Sequence, residues 1–233
     1  MSKYIGPKVK IVRRLGALLG LTRKAQKLRK KGPGQHGKLL SSANTRSSLS
    51  SDYSSRLVEK QKLKYFYGVS DKLLFNYYNL AKKKKASIGP FILKRLESRL
   101  DCIAYRLGFA PTVRAARQLI NHNHFFLNFR GVLSPGTICK KGDIISPRNE
   151  HSAIIIGEYL KINEKTKFTL SSKLRNKKPV IVARKNFFGA AHEIPKHLSF
   201  IKSSLSGIVL GPVKRKDITF AINELKVAEY YSK

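Results

Sequence analysis

The sequence predicts an α+β chain: a mostly helical N-terminal domain and a smaller two-helix-and-sheet unit, preceded by an extended basic arm. Three observations support this class. The stretch 91–128, FILKRLESRLDCIAYRLGFAPTVRAARQLINHNHFFLN, carries helical apolar spacing in two blocks parted by Gly108 and Pro111. Short apolar runs with turn signals follow those helices instead of alternating with them. The first 50 residues are basic and irregular.

Residues 1–51 read as arm and linker. Tyr4, Gly6 and Pro7 begin an extended segment, IVRRLGALLGL makes a short helix at best, and Lys24, Lys27, Arg29, Lys30 and Lys31 form a dense basic block. Gly32-Pro33-Gly34-Gln35-His36-Gly37 must be a loop, whose backbone N–H groups can approach an anion closely. No Gly-Lys-Ser/Thr follows, so it is not a Walker loop, and by physics alone it reads as a flexible linker. SSANTRSSLSS, over 41–51, is low in complexity.

Residues 52–90 form the helical part of the first domain. Ser51 or Asp52 caps a helix that ends at Gly68, and Ser70 caps a second with Leu73, Leu74, Tyr77, Tyr78 and Ala81. At helical spacing these aromatics read mostly as core and not as base-stacking groups. The lysine run 82–85 complements the helix dipole and is otherwise solvated.

The smaller unit spans 91–160. On its first helix Leu93, Leu96, Leu100, Ile103 and Leu107 make the apolar stripe, and Arg95, Arg99 and Arg106 a second stripe. Gly108 should end this helix, Pro111 prevents continuation, and Thr112 caps the next one. There Val113, Ala116, Leu119 and Ile120 face inward, opposite Arg114, Arg117, Gln118 and Asn121. Guanidinium forks at fixed helical spacing suit phosphate oxygens, and His122, Asn123 and His124 follow at the turn into a strand. The bland alternative is two solvated faces. Residues 124–128 and 137–147 read as strands, with Lys140-Lys141-Gly142-Asp143 as a hairpin turn. Residues 161–190 read as an irregular insertion, and 191–233 as a C-terminal segment.

The charge is the strongest compositional fact: 48 Lys+Arg against 13 Asp+Glu give +35 on 233 residues, with 42% hydrophobic residues to build a core. Such a chain needs a polyanion, and nucleic acid is the commonest one. A membrane is not expected, because no apolar run is long enough to span one and Trp is absent. MSKYIGPKVK has no signal-peptide core, so the chain is expected to work where it is made. Cys102 and Cys139 lack CxxC spacing and read as reduced core residues.

A collinear series of blocks resembles a known family. It runs through Tyr4-x-Gly6-Pro7-Lys8, Arg13-Arg14-Leu15-Gly16-Ala17-Leu18, Pro33-Gly34-Gln35-His36-Gly37, Glu59-Lys60-Gln61-Lys62-Leu63 and Tyr67-Gly68. It continues with Leu96-Glu97-x-Arg99-Leu100-Asp101, Tyr105-Arg106-Leu107-Gly108, Ala115-Ala116-Arg117-Gln118-Leu119, His122, Asn128, Pro195-Lys196-His197-Leu198 and Glu229-Tyr230-Tyr231-Ser232. The series resembles the fourth protein of the small ribosomal subunit, with RRLGALLGLTRK and IPKHLSF closest to the plastid branch.

The resemblance implies a helical first domain, to which 191–233 returns, split around an RNA-binding domain of the alpha-L type. It implies early binding to the 5′ domain of small-subunit rRNA, a place beside small-subunit protein five near the path of incoming mRNA, and an influence on decoding accuracy. It implies rRNA contacts at Tyr4, Lys8, Arg13, Arg14, Gln35, His36, Lys60, Lys62, Arg95, Arg99, Arg106, Arg114, Arg117, Gln118, His122 and Asn123. This turns the Gly-rich loop from linker into RNA contact. The plastid stroma is the implied location, with a bacterial-type cytoplasm as second choice.

Three departures from the family pattern stand out. Some bacterial relatives hold zinc through cysteines in the arm, but this arm has none, so no metal and no cofactor are expected. The segment around 160–190 is longer than the family norm. Phe129 and Arg130 intervene before Gly131, where the family turn has a glycine straight after Asn128.

The same two-helix module occurs in pseudouridine synthases and some tRNA synthetases, so an RNA-modifying enzyme is the main rival. The best carboxylate pair, Glu97 and Asp101, offers neither cleft nor third group and reads as solvent-facing acids balancing arginines. His36 has no nucleophile partner, and His122 and His124 have no carboxylate ligand nearby in sequence. No enzyme is expected. A free basic RNA chaperone is the third class, separated from a ribosomal protein only by stable incorporation into subunits.

Overall fold

The computed structural model describes residues 4–16, 18–22, 33–34, 52–160, 194–218 and 220–232. Gln35, His36 and the 161–190 insertion lie outside them. The chain divides into two compact units, Met1–Arg95 with Ala221–Lys233, and Leu96–Phe220.

The first unit is helical. Its α1 (Lys8–Leu15) buries Ile11, Val12 and Leu15, one stripe of a short amphipathic helix. Leu18 and Leu21 beyond it are also buried. The short helix expected in IVRRLGALLGL is thus present, preceded by non-helical 4–7, and five apolar side chains within eleven residues are drawn into a core. Helix α2 (Asp52–Tyr67) buries Leu63, Phe66 and Tyr67, and α3 (Asp71–Lys83) buries Leu74, Tyr77, Tyr78 and Ala81. Ser70 caps α3, its side chain accepting from the Leu73 N–H at 3.3 Å. Lys82, Lys83, Lys84 and Lys85 are all exposed.

The C-terminal helix, α8 (Glu224–Ser232), lies against α2. Arg56 Nε donates to Glu229 at 2.7 Å, and the Asn223 N–H to Glu59 at 3.1 Å. The Lys60 ammonium sits 4.6 Å above the Tyr230 ring. Of the C-terminal segment, only the residues from Ala221 onward belong to this unit.

The second unit opens where the sequence suggested one continuous helix. Instead α4 (Ile88–Glu97) stops, and α5 (Leu100–Arg106) begins with Arg99 in extended conformation at its N-cap. The break is stabilised from outside. The Leu100 and Asp101 N–H groups donate to the Thr137 and Pro135 carbonyls at 2.8 and 3.2 Å. Cys139 N–H donates back to Ser98 at 2.8 Å. Donors that a continuous helix would satisfy internally are taken up by a neighbouring segment. Gly108 follows at φ +85°, and Thr112 caps α6 (Val113–Asn121) by accepting from the Ala115 N–H at 3.2 Å, both as expected.

Five short strands form one antiparallel sheet in the order β2-β1-β3-β5-β4. They are β1 (Phe125–Leu127), β2 (Arg130–Gly131), β3 (Ile144–Pro147), β4 (Leu198–Ile201) and β5 (Ser206–Val209). A helix, α7, covers 150–160. Strands β4 and β5 correct the expectation that 191–233 returns whole to the first domain. Their residues Leu198 and Val209 join the core around Phe109, Phe125, Ile145 and Ile156. Burying them there removes their apolar surface from water, and β5 pairs what would otherwise be an open edge of β3. Gly207 lets β5 come down on Leu107, since a Cβ there would lie 2.2 Å from Leu107 Cδ1.

The β1–β2 turn consists of Asn128 and Phe129, at φ +51° and +63°. Leu127 pairs with Arg130, leaving these two residues as the loop. Two positive φ values mark a type I′ turn, which normally selects Asn-Gly.

Candidate nucleic-acid interface

The two helices after Glu97 bring charge together in a way their periodicity did not reveal. Glu97, Arg99, Asp101 and Arg106 are each at most 3% exposed. Arg106 forks onto Glu97, with Nη2 to Oε1 at 2.6 Å and Nε to Oε2 at 3.1 Å. Arg99 donates to both Asp101 oxygens at 3.1 and 3.0 Å. Arg117 reaches the same carboxylate from α6, donating to Oδ2 at 3.1 and 2.6 Å. Bidentate geometry satisfies the carboxylates where water cannot.

This corrects two expectations. Arg99, Arg106 and Arg117 are not an outward stripe, because the break at Arg99 ends the shared helical phase and two buried carboxylates hold them. Glu97 and Asp101 are not solvent-facing acids. A hint existed in the sequence: they are two of only 13 acids in the chain, and arginines surround them.

Lys60 is corrected likewise. It is 6% exposed and pairs with Asp71 at 3.0 Å, with Lys64 as a second partner of that carboxylate. Burial opposes ionisation of Asp71, but Lys64 and Lys60 outweigh it and hold the carboxyl below its usual range. Cys102 lies against Glu97 at 3.3 Å. Burial pushes its thiol up, and burial pushes Cys139 up to about 12, so neither is a poised nucleophile.

The remaining predicted residues are spread over both units. In the first, Lys8 and Arg14 are exposed and Arg13 is half-buried. Tyr4 packs edge-on to Tyr65 at 5.4 Å, Lys62 pairs with Glu59 at 2.6 Å, and Arg95 lies over the Phe91 ring at 5.6 Å. In the second, Arg114 is half-buried, while Gln118, Asn121 and His122 on the outer side of α6 are exposed. Asn123 adopts φ +60° in the turn after α6.

To His122 and His124, both singled out in the sequence, the fold adds His151 and Arg148, which sequence reasoning missed. His122, His124 and His151 form a row with ring centroids 6.3 and 6.2 Å apart. His124 Nδ1 is 3.0 Å from the Ser152 hydroxyl, and the Arg148 N–H donates to the His124 carbonyl at 2.9 Å. Exposed Arg148 places its guanidinium over Phe126 at 5.8 Å. No local pattern links residues 122 and 151; β3 brings them together. Among the described residues no group of three or more His, Cys, Asp or Glu is placed to hold a metal, and no helix could cross a membrane.

His197 is 6% exposed, and its Nδ1 is 3.4 Å from Asp217. Burial lowers its pKa below 6.5, opposed by Asp217 and Glu97 and assisted by Arg106. Burial lowers His124 too, with His151 and His122 adding to the effect. Both imidazoles are therefore easier to protonate unfolded than folded, so the unfolded state binds more protons below pH 6.5. The contribution of these two imidazoles to the stability of this unit is complete above that value and falls as pH drops toward the folded-state values. Urea midpoints at pH 5, 6 and 7 check this, and His197→Gln should flatten part of the slope.

Comparison with known proteins places the chain. Residues 3–97 match the family described as Ribosomal protein S4/S9 N-terminal domain, and 98–145 match the S4 domain. The chain is 44% identical over 233 residues to small ribosomal subunit protein uS4c of Chlorokybus atmophyticus, covering 100% of this chain and 99% of that protein. The chain belongs to the uS4 family. Its likeness to uS4c of Pyropia yezoensis is 43% over 234 residues, covering 100% of both. To the cyanobacterial uS4 of Thermosynechococcus vestitus it is 41% over 233 residues, with 100% and 99% covered. These uS4 relatives are ribosomal structural proteins and not enzymes. The boundary between the two family matches, at 97–98, falls beside the break between α4 and α5.

Proposed function

We propose that this uS4 chain is a primary rRNA-binding protein of a plastid small ribosomal subunit. It binds the 5′ domain of the rRNA early in assembly, sits beside small-subunit protein five, and bears on incoming mRNA and decoding accuracy. The observation that carries the reading is the full-length likeness to uS4 and uS4c proteins in a chain of formal charge +35. A bacterial-type cytoplasm is the alternative location.

Binding works by neutralising packed rRNA phosphates, with release of counterions giving a salt-dependent affinity. Specificity comes from the shape of an RNA junction, because side chains cannot read the deep, narrow A-form major groove. Lys8 and Arg14 serve the first unit's contacts, and Arg114, Gln118 and His122 those of the second. The Gln35–His36 loop belongs to the same set by family likeness. Arg99, Arg106 and Arg117 act indirectly, by holding α5 and α6 in register.

The test is binding of the purified full chain to the 5′ domain of its cognate rRNA, at physiological salt with excess unrelated structured RNA. Saturable binding that survives the competitor is expected. Loss to any polyanion would overturn the reading in favour of a basic RNA chaperone.

A further inference from the structure

We propose that Phe129 is a base-stacking residue, its ring receiving one unpaired RNA base while Arg130, Lys140 and Lys141 meet the flanking phosphates. The proposal rests on the rRNA-binding reading above and deepens it.

Two features of Phe129 are unfavourable within the protein alone. Its φ of +63° is a left-handed conformation, rare for a bulky side chain and usual for glycine at this turn position. The residue is 78% exposed, so burial does not offset that strain. Strain held at one position is a pointer to function when the surroundings enforce it.

Here they do. Asn128 N–H donates to the Ile144 carbonyl at 2.9 Å, and its side chain closes the same link twice. Its Nδ2 donates to Asp143 Oδ1 at 2.9 Å, and its Oδ1 accepts from the Ile144 N–H at 2.9 Å. The turn is thus clamped to the start of β3, and the ring projects from a fixed platform.

The charge around the ring selects its partner. Asp143 gives its other oxygen to the Lys140 N–H at 2.7 Å, which sets the Lys140–Lys141 turn beside Asn128. Arg130, Lys140 and Lys141 are exposed. A preorganised aromatic among cations matches single-stranded RNA recognition, where a base stacks and its phosphates are neutralised. A basic protein surface would be repelled by the same three groups.

The test measures Kd of the full chain for the 5′-domain rRNA with Phe129→Gly, Phe129→Leu and Phe129→Trp. Gly relieves the turn and Leu keeps a similar apolar bulk, but neither can stack. Both should weaken binding by about tenfold, the scale of one stacked base. Trp should bind as wild type does. Phe129→Gly should also raise the urea midpoint, which excludes misfolding as the cause of its lost affinity. Chemical probing should find one unpaired base protected by the wild-type and Trp proteins and reactive with Leu. Wild-type affinity in both the Gly and Leu variants would overturn the proposal while leaving rRNA binding intact. Failure of the wild-type chain to bind against competitor would instead overturn the rRNA reading, and this proposal with it.

Discussion

Asp101→Ala is expected to destabilise the 96–220 unit by about 3–5 kcal/mol, the usual cost of removing one partner from a buried ion pair. Asp101 is 1% exposed and carries the hydrogen bonds of both Arg99 and Arg117. Its loss takes those bonds from two guanidinium groups at a place where water cannot replace the carboxylate. It also loosens α5 from α6, since Arg99 stands at the start of one helix and Arg117 belongs to the other. Urea unfolding followed through tyrosine fluorescence, with Tyr105 buried in this unit, measures the change. Replacing both members of the Glu97–Arg106 pair by apolar residues of similar volume should cost far less than removing either alone. A loss below about 1 kcal/mol for Asp101→Ala would show that the carboxylate is not what holds these arginines.

The second large effect is on salt dependence. Replacing Arg114 and Arg148 together by Ala should reduce the slope of log affinity against log salt by about two units at most, one per lost phosphate contact. Replacing Arg106 and Arg117 together should leave that slope unchanged and lower the urea midpoint instead. Judged from helical periodicity, the second pair belongs among the phosphate contacts; judged from the fold, the two arginines donate to the buried carboxylates of Glu97 and Asp101. Titrations of 5′-domain rRNA at several salt concentrations separate the two. A slope that falls by two with Arg106 and Arg117 replaced, in a variant that stays folded, would return them to the RNA-facing set.

Several features were legible in the chain because they depend on near neighbours. Thr112 and Ser70 cap the helices that follow them, and Gly108 takes a positive φ. The apolar residues Leu100, Ile103 and Leu107 turn inward, as their spacing requires. Less legible was the helix break at Arg99, because it is stabilised by carbonyls of residues 135 and 137, more than thirty positions away. The placement of β4 and β5 was hidden for a related reason: an edge strand is chosen by which sheet still has an open edge.

The sequence by itself determined the family, the polyanion-seeking charge and the two-helix-and-sheet unit, since motif order, net charge and periodicity are properties of the chain. Only the tertiary structure decided which arginines face outward. Glu97 and Arg106 lie nine residues apart across a helix break, and Asp101 and Arg117 sixteen apart on different helices. Neither separation is a helical neighbour spacing, and charge compensation acts through distance in space, so no local pattern could have distinguished a buried scaffold from a binding face.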